Sequence, residues 1–76
     1  MMDNDLGLQP LDAVMIRLGL TNADVVKASV RQLTFKMIQK GRKGRRLTPN
    51  IQHKILEAFH VLKPEEKFTL KDFFNY

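Results

Sequence analysis

Lys36, Lys40, Arg42, Lys43, Arg45 and Arg46 place six cations within eleven positions, with no acid among them. They lie in or just after the stretch FKMIQKGRK, and the basic run ends at Arg46. Side chains of this kind hold polyanions, phosphates above all, through charge-assisted hydrogen bonds. The same run also suits a solvated basic loop, and both readings stay open at this point. No other chemistry competes with it. His53 and His60 are seven residues apart on one helix face, poorly placed to share a metal, and no Asp or Cys accompanies them. Glu65 and Glu66 are adjacent and point apart, so they do not form an acid–base pair. Ser29 has no base near it in the sequence. GRKGRR, residues 41–46, lacks the strand and the G-K-[ST] ending of a phosphate-binding loop. An enzyme is therefore not expected, nor a metal, a cofactor or a small-molecule substrate.

The elements that must position these cations are short. Seventy-six residues allow one domain. A chain of that size buries only about 60% of its unfolded surface, so its core is thin. With no cysteine, neither a disulfide nor a thiolate metal site can reinforce it. The apolar fraction, 43%, suffices for a folded domain. No apolar run approaches the roughly 18 residues of a membrane span. The first eight residues are short and acidic and show no signal-peptide pattern, so the expectation is a cytoplasmic protein. Residues 1–8 read as a flexible leader, and 9–76 as the single domain.

Helix signals follow in order. Pro10 opens a helix over Pro10–Leu18, with Leu11, Val14, Met15 and Leu18 on one buried stripe and Gly19 as its stop. Thr21 and Asp24 form a capping box for a second helix, Asn22–Ala28, with Leu20 and Val25 as its hydrophobic staple. A third helix is expected over about Arg31–Lys40, ended by Gly41. On it Phe35 and Ile38 share the core face, whereas Leu33, Lys36, Met37 and Lys40 lie opposite, with Gln32 at their edge. Leu33 and Met37 thus have no evident partner within the chain. Thr48 and Pro49 start a fourth helix that runs to Leu62, with Ile51, Ile55, Ala58, Phe59 and Leu62 facing inward. Thr69 and Asp72 repeat the capping-box logic for a fifth, Leu70–Asn75, in an apolar tail. No run alternates as a strand does, and no hairpin turn is evident. The expected class is all-α, a compact bundle of five short helices.

The stretch LTNADVVKASVRQLTFKMIQKGRKGRRLTPNIQHKILEAF, residues 20–59, resembles the phage-repressor-type helix-turn-helix, the lambda-repressor-like or Xre family. There, a stretch of the type L-[ST]-x-x-x-[LV]-A leads through a short turn to a recognition helix often reading x-x-[ST]-[IV]-x-x-[IL]-E-x-G. Here the corresponding residues are Leu33 to Gly41, and Thr48–Leu62 stands for the capped helix that follows. The likeness spans about residues 11–62. It departs from the family in a turn reading Ala28-Ser29-Val30 without glycine, in Gln39 at the usual acid, and in a more basic loop.

The resemblance implies a sequence-specific binder of double-stranded DNA, a small bacterial or phage-like transcriptional regulator that acts as a homodimer. By position, Arg31, Gln32, Leu33, Lys36 and Met37 face the major groove. Arginine pairs with guanine, glutamine with adenine, and apolar side chains with thymine methyls. Asn22, Lys40, Arg42, Lys43, Arg45 and Arg46 meet phosphates, which orient the module without reading sequence. Five neutralised phosphates imply a log–log salt slope of about −4 to −5. Partner subunits would meet through the fourth helix or the aromatic tail. A competing reading keeps the scaffold as a protein-interaction module, with Leu33 and Met37 as hot spots. RNA binding is weaker, because the aromatics fall in the core and tail and form no stacking platform.

Overall fold

Local caps build most of this molecule, a computed structural model that describes residues 7–30 and 32–76. Residues 1–6, most of the expected leader, and Arg31, one of the expected base contacts, lie outside the described residues. Among the described residues there are four α-helices, two single-turn 3₁₀ segments and no strand. Helix α1 is Pro10–Leu18, α2 is Asn22–Ala28, α3 is Phe35–Lys43 and α4 is Pro49–Leu62. Three of the four run between the residues the sequence points to.

The caps explain that agreement. Gly19 takes the left-handed conformation, φ 68°, and its N–H and that of Leu20 close onto the carbonyls of Ile16 and Met15. This double closure satisfies carbonyls that the end of α1 would otherwise leave open. At α2 the Thr21 hydroxyl accepts from Asp24 N–H at 3.2 Å, and the Asp24 carboxylate accepts from Thr21 N–H at 2.9 Å. The Thr48 hydroxyl accepts from Ile51 N–H at the start of α4, with Pro49 in the first turn.

Helix α3 differs from expectation at both ends. Thr34 caps it, its hydroxyl accepting from Met37 N–H at 3.2 Å, so the helix starts four residues later than expected. Leu33 then precedes the cap and Ile38 follows it at the positions of a hydrophobic staple. Both are buried, at 7% and 0% exposure. Nor does Gly41 end the helix. A β-carbon there would lie 2.9 Å from a Leu47 methyl, 3.4 Å from Leu11 and 3.5 Å from Phe74. Gly41 is a point of close approach, and Gly44, at φ 102°, makes the left-handed stop. Any side chain on Gly44 would collide with the backbone of Gly7. Residue 7 of the expected leader is therefore packed onto the end of α3.

The expected fifth helix is a 3₁₀ turn, Leu70–Asp72, preceded by another at Pro64–Glu66. The Thr69–Asp72 capping box forms, with Thr69 N–H 2.7 Å from the carboxylate. The chain then leaves the turn because its backbone groups serve other elements. The Phe73 carbonyl accepts from Leu11 N–H in the first turn of α1. Asn75 N–H donates to Gln9, and the Tyr76 hydroxyl accepts from Leu47 N–H. Gln9 is 2% exposed, and its amide also donates to the Gly7 carbonyl at 3.0 Å. Phe59, Phe68 and Phe73 meet with centroids 4.6 to 5.7 Å apart. These rings centre the core with Leu11, Met15, Val25, Ile38, Ile55 and Ala58. The aromatic tail thus belongs to this chain's own interior, and Phe73 and Phe74 are not available to a second subunit.

Candidate nucleic-acid interface

The shift of α3 along the sequence decides which side chains it shows to solvent. At about 100° per residue, Ile38, Gly41 and Met37 span one side. Ile38 and Gly41 are buried there, and Met37 is half-buried against the core. Phe35 falls about 60° beyond Ile38 on the other flank, away from Gly41. It is 56% exposed, where the core face was expected to hold it. Lys36, Gln39, Lys40 and Lys43 recur at i, i+3, i+4 and i+7, so they form one stripe opposite the core. All four are exposed. Together with Arg45 they line a shallow groove of about 440 Å³ that carries four cations and no carboxylate.

The remaining cations of the run have other employment. Arg42 lies on the flank of α3 that faces α1 and α2. Its Nε donates to Asp12 at 2.6 Å and its Nη1 to the Asn22 side-chain oxygen at 2.8 Å. The Arg42 and Asp12 side chains are only 19% and 22% exposed. Asn22 in turn donates from Nδ2 to the Gln39 oxygen at 3.0 Å. Asp12, Arg42, Asn22 and Gln39 thus form a chain of bonds from α1 through α3 and α2 to the edge of the groove. Arg46 stacks its guanidinium over the Tyr76 ring, 4.9 Å from the centroid.

The expected contact residues therefore divide. Lys36, Lys40, Lys43 and Arg45 come together on the exposed stripe and groove. Gln32 is exposed ahead of the Thr34 cap and not on the helix. Leu33 leaves the outer face for the core because the cap falls one residue after it. Met37 packs against the core. Arg42 and Asn22 are bonded to each other and to neighbouring helices, so neither is a loose phosphate ligand. The same facts remove the two side chains on which a protein-binding face had been expected. The α2–α3 connection, residues 29–34, is longer than the Ala28-Ser29-Val30 turn read from the sequence, because Thr34 delays α3.

Gln39 was missed as a member of the site. Its spacing from Lys36, Lys40 and Lys43 was a usable signal, hidden once α3 was ended at Gly41. His60 Nε2 lies 2.9 Å from the Phe68 carbonyl, which ties α4 to the segment ahead of the tail. Among the described residues no helix is long and apolar enough to cross a membrane. No family model matches the chain, and no curated protein or solved structure matches it.

Proposed function

We propose that the chain binds double-stranded DNA with α3 in the major groove, as a small transcriptional regulator of the phage-repressor, helix-turn-helix type. The observation that carries this reading is the acid-free stripe of Lys36, Lys40 and Lys43 with Arg45, directly opposite the buried side of α3. A B-form major groove, about 12 Å wide, admits one α-helix. A helix held from behind by Ile38 and Gly41 can enter it without unfolding anything. Lys36 and Gln39, in the first half of α3, are the base-reading positions, with exposed Gln32 leading. Lys40, Lys43 and Arg45 hold phosphates and fix the register. A single module of this size reads few bases, so a homodimer on two half-sites about one helical turn apart completes the proposal. The outer side of α4 is the surface left for that contact.

Three phosphate contacts per chain set the log–log salt slope at about −3. Fluorescence anisotropy of a labelled duplex across a salt series measures it. Replacing Lys36, Lys40, Lys43 and Arg45 together by Gln is expected to lower affinity at about 0.1 M salt by roughly three orders of magnitude. Binding that ignores salt, or that survives this quadruple replacement, overturns the reading.

A further inference from the structure

The chain of hydrogen bonds behind the groove has a direction, and the direction reaches the reading face. A guanidinium donates and never accepts. Arg42 gives Nε to Asp12 and Nη1 to Asn22, so Asn22 must turn its oxygen towards Arg42. The Asn22 Nδ2 is then left to point at Gln39, which must answer with its oxygen. The two ends of an amide look nearly alike by shape alone, but here the bonding order leaves one assignment. Gln39 therefore turns its Nε2, with two N–H groups, away from Asn22. Its neighbours in the groove are Lys36, Lys40, Lys43 and Arg45, which can only donate. Every polar side chain lining the groove is a donor, apart from one amide oxygen already turned inward.

Resting on the DNA-binding reading, we infer that this face selects runs of guanine, with Gln39 as a specificity-determining residue. Asn22, Arg42 and Asp12 are the positioning residues that fix its polarity. Guanine shows two acceptors, N7 and O6, to the major groove, whereas adenine shows one acceptor and one donor and cytosine a donor. Consecutive guanines on one strand present an unbroken row of acceptors to a row of donors. A glutamine free to rotate would instead pair both its ends with adenine. The relay denies Gln39 that choice.

The test compares the full chain on three duplexes of equal length at one fixed salt concentration, read by fluorescence anisotropy. One carries a guanine run, one only A·T pairs, and one the guanine run with 7-deazaguanine, which lacks the N7 acceptor. The guanine duplex is expected to bind about tenfold tighter than the A·T duplex, and 7-deazaguanine to erase most of that ratio. Gln39→Ala, at an exposed position, is expected to reduce the ratio without changing the melting temperature. Asn22→Asp is the sharper variant. Its carboxylate still accepts from Arg42 but cannot donate to Gln39, so the glutamine turns over and shows its oxygen to the groove. The ratio should then move towards A·T, an effect that a merely structural role for Asn22 does not produce. Equal binding of all three duplexes with a normal salt slope overturns this inference and leaves DNA binding standing. A guanine preference that persists in both variants overturns the role of Gln39. No binding to any duplex overturns the DNA reading and this inference together.

Discussion

Arg42 and Lys43 are adjacent in sequence and alike in charge, yet they belong to different regions of the molecule. Arg42 faces inward across α1 and α2, bonded to Asp12 and Asn22. Lys43 stands in the exposed stripe with Lys36 and Lys40. A turn of about 100° along one helix separates the two roles. The difference shows that a dense basic run need not act as a unit. Part of this one holds the scaffold, and part is left exposed. The distinction lies in the acids: Asp12 reaches one cation, and none lines the groove around the other four.

Removing the inward cation should have the largest effect. Arg42→Met leaves the Asp12 carboxylate partly buried without its partner and opens the relay at its centre. Breaking a fully buried pair costs about 3–5 kcal/mol. Exposure near one fifth on both side chains lowers that here to about 2 kcal/mol of folding stability. Urea denaturation measures it, and a double-mutant cycle with Asp12→Asn should show strong coupling between the two sites. A variant as stable as the parent would place Arg42 with the solvent-facing cations after all.

The outward cations should behave in the opposite sense. Lys36 stands in the first turn of α3, where the helix dipole disfavours a positive charge. Lys36→Gln is expected to raise folding stability by about 0.3 kcal/mol. It should also weaken DNA binding about fivefold and relax discrimination at the base pair it reads, with the salt slope little changed. A gain in stability with a loss of binding would mark Lys36 as kept for a partner and not for the fold. Unchanged binding would make it surface charge only.

Why the sequence reveals some of this and not the rest follows from where each signal lies. The bounds of α1, α2 and α4 depend on residues within a few positions of each end: Pro10 and Gly19, Thr21 and Asp24, Thr48 and Pro49. Helix α3 carries two residues whose local meaning is ambiguous. Glycine suits both a helix stop and a close helix contact. Only Leu11, Leu47 and Phe74, distant in sequence or beyond a loop, decide for Gly41. Threonine is tolerated inside a helix but excels as a cap, and misreading Thr34 displaced Leu33 onto the wrong face. The presence of a basic outer face survived that error, because the i, i+4 and i+7 spacing of its lysines does not depend on the helix ends. The fate of Arg42 did not survive it, since its partner lies thirty residues away. The tail's aromatic residues were legible as apolar, but their backbone role in closing the first turn of α1 was not.

A smaller effect probes the other anchored cation. Arg46→Gln removes the guanidinium from the Tyr76 ring while keeping a polar side chain. At an exposed site such a contact contributes about 0.5 kcal/mol. A shift in melting temperature near the limit of detection is expected, with duplex affinity falling only slightly. A large loss of affinity would move Arg46 across the division, into the set proposed to meet phosphate.

The smallest effect lies in the capping box of α2. The Thr21 backbone N–H, with its hydroxyl, holds the Asp24 carboxyl below the ordinary value of 3.8. A carboxyl depressed in the folded chain binds its proton more readily after unfolding. Its contribution is therefore complete above the unfolded value and fades as pH falls through the folded one. Thermal melts of the parent and of Asp24→Asn, from about pH 6 to about pH 2, should converge on the acid side. Taking the difference between the two curves cancels the other carboxylates. Because the Asp24 carboxylate bonds to Thr21 and does not line the groove, the variant should bind duplex like the parent at neutral pH. Two curves that stay parallel into acid would mean the box adds nothing charge-dependent to α2. A changed affinity would mean that α2 transmits its own fraying to α3 through Asn22, and that the inward and outward regions are less separable than their cations imply.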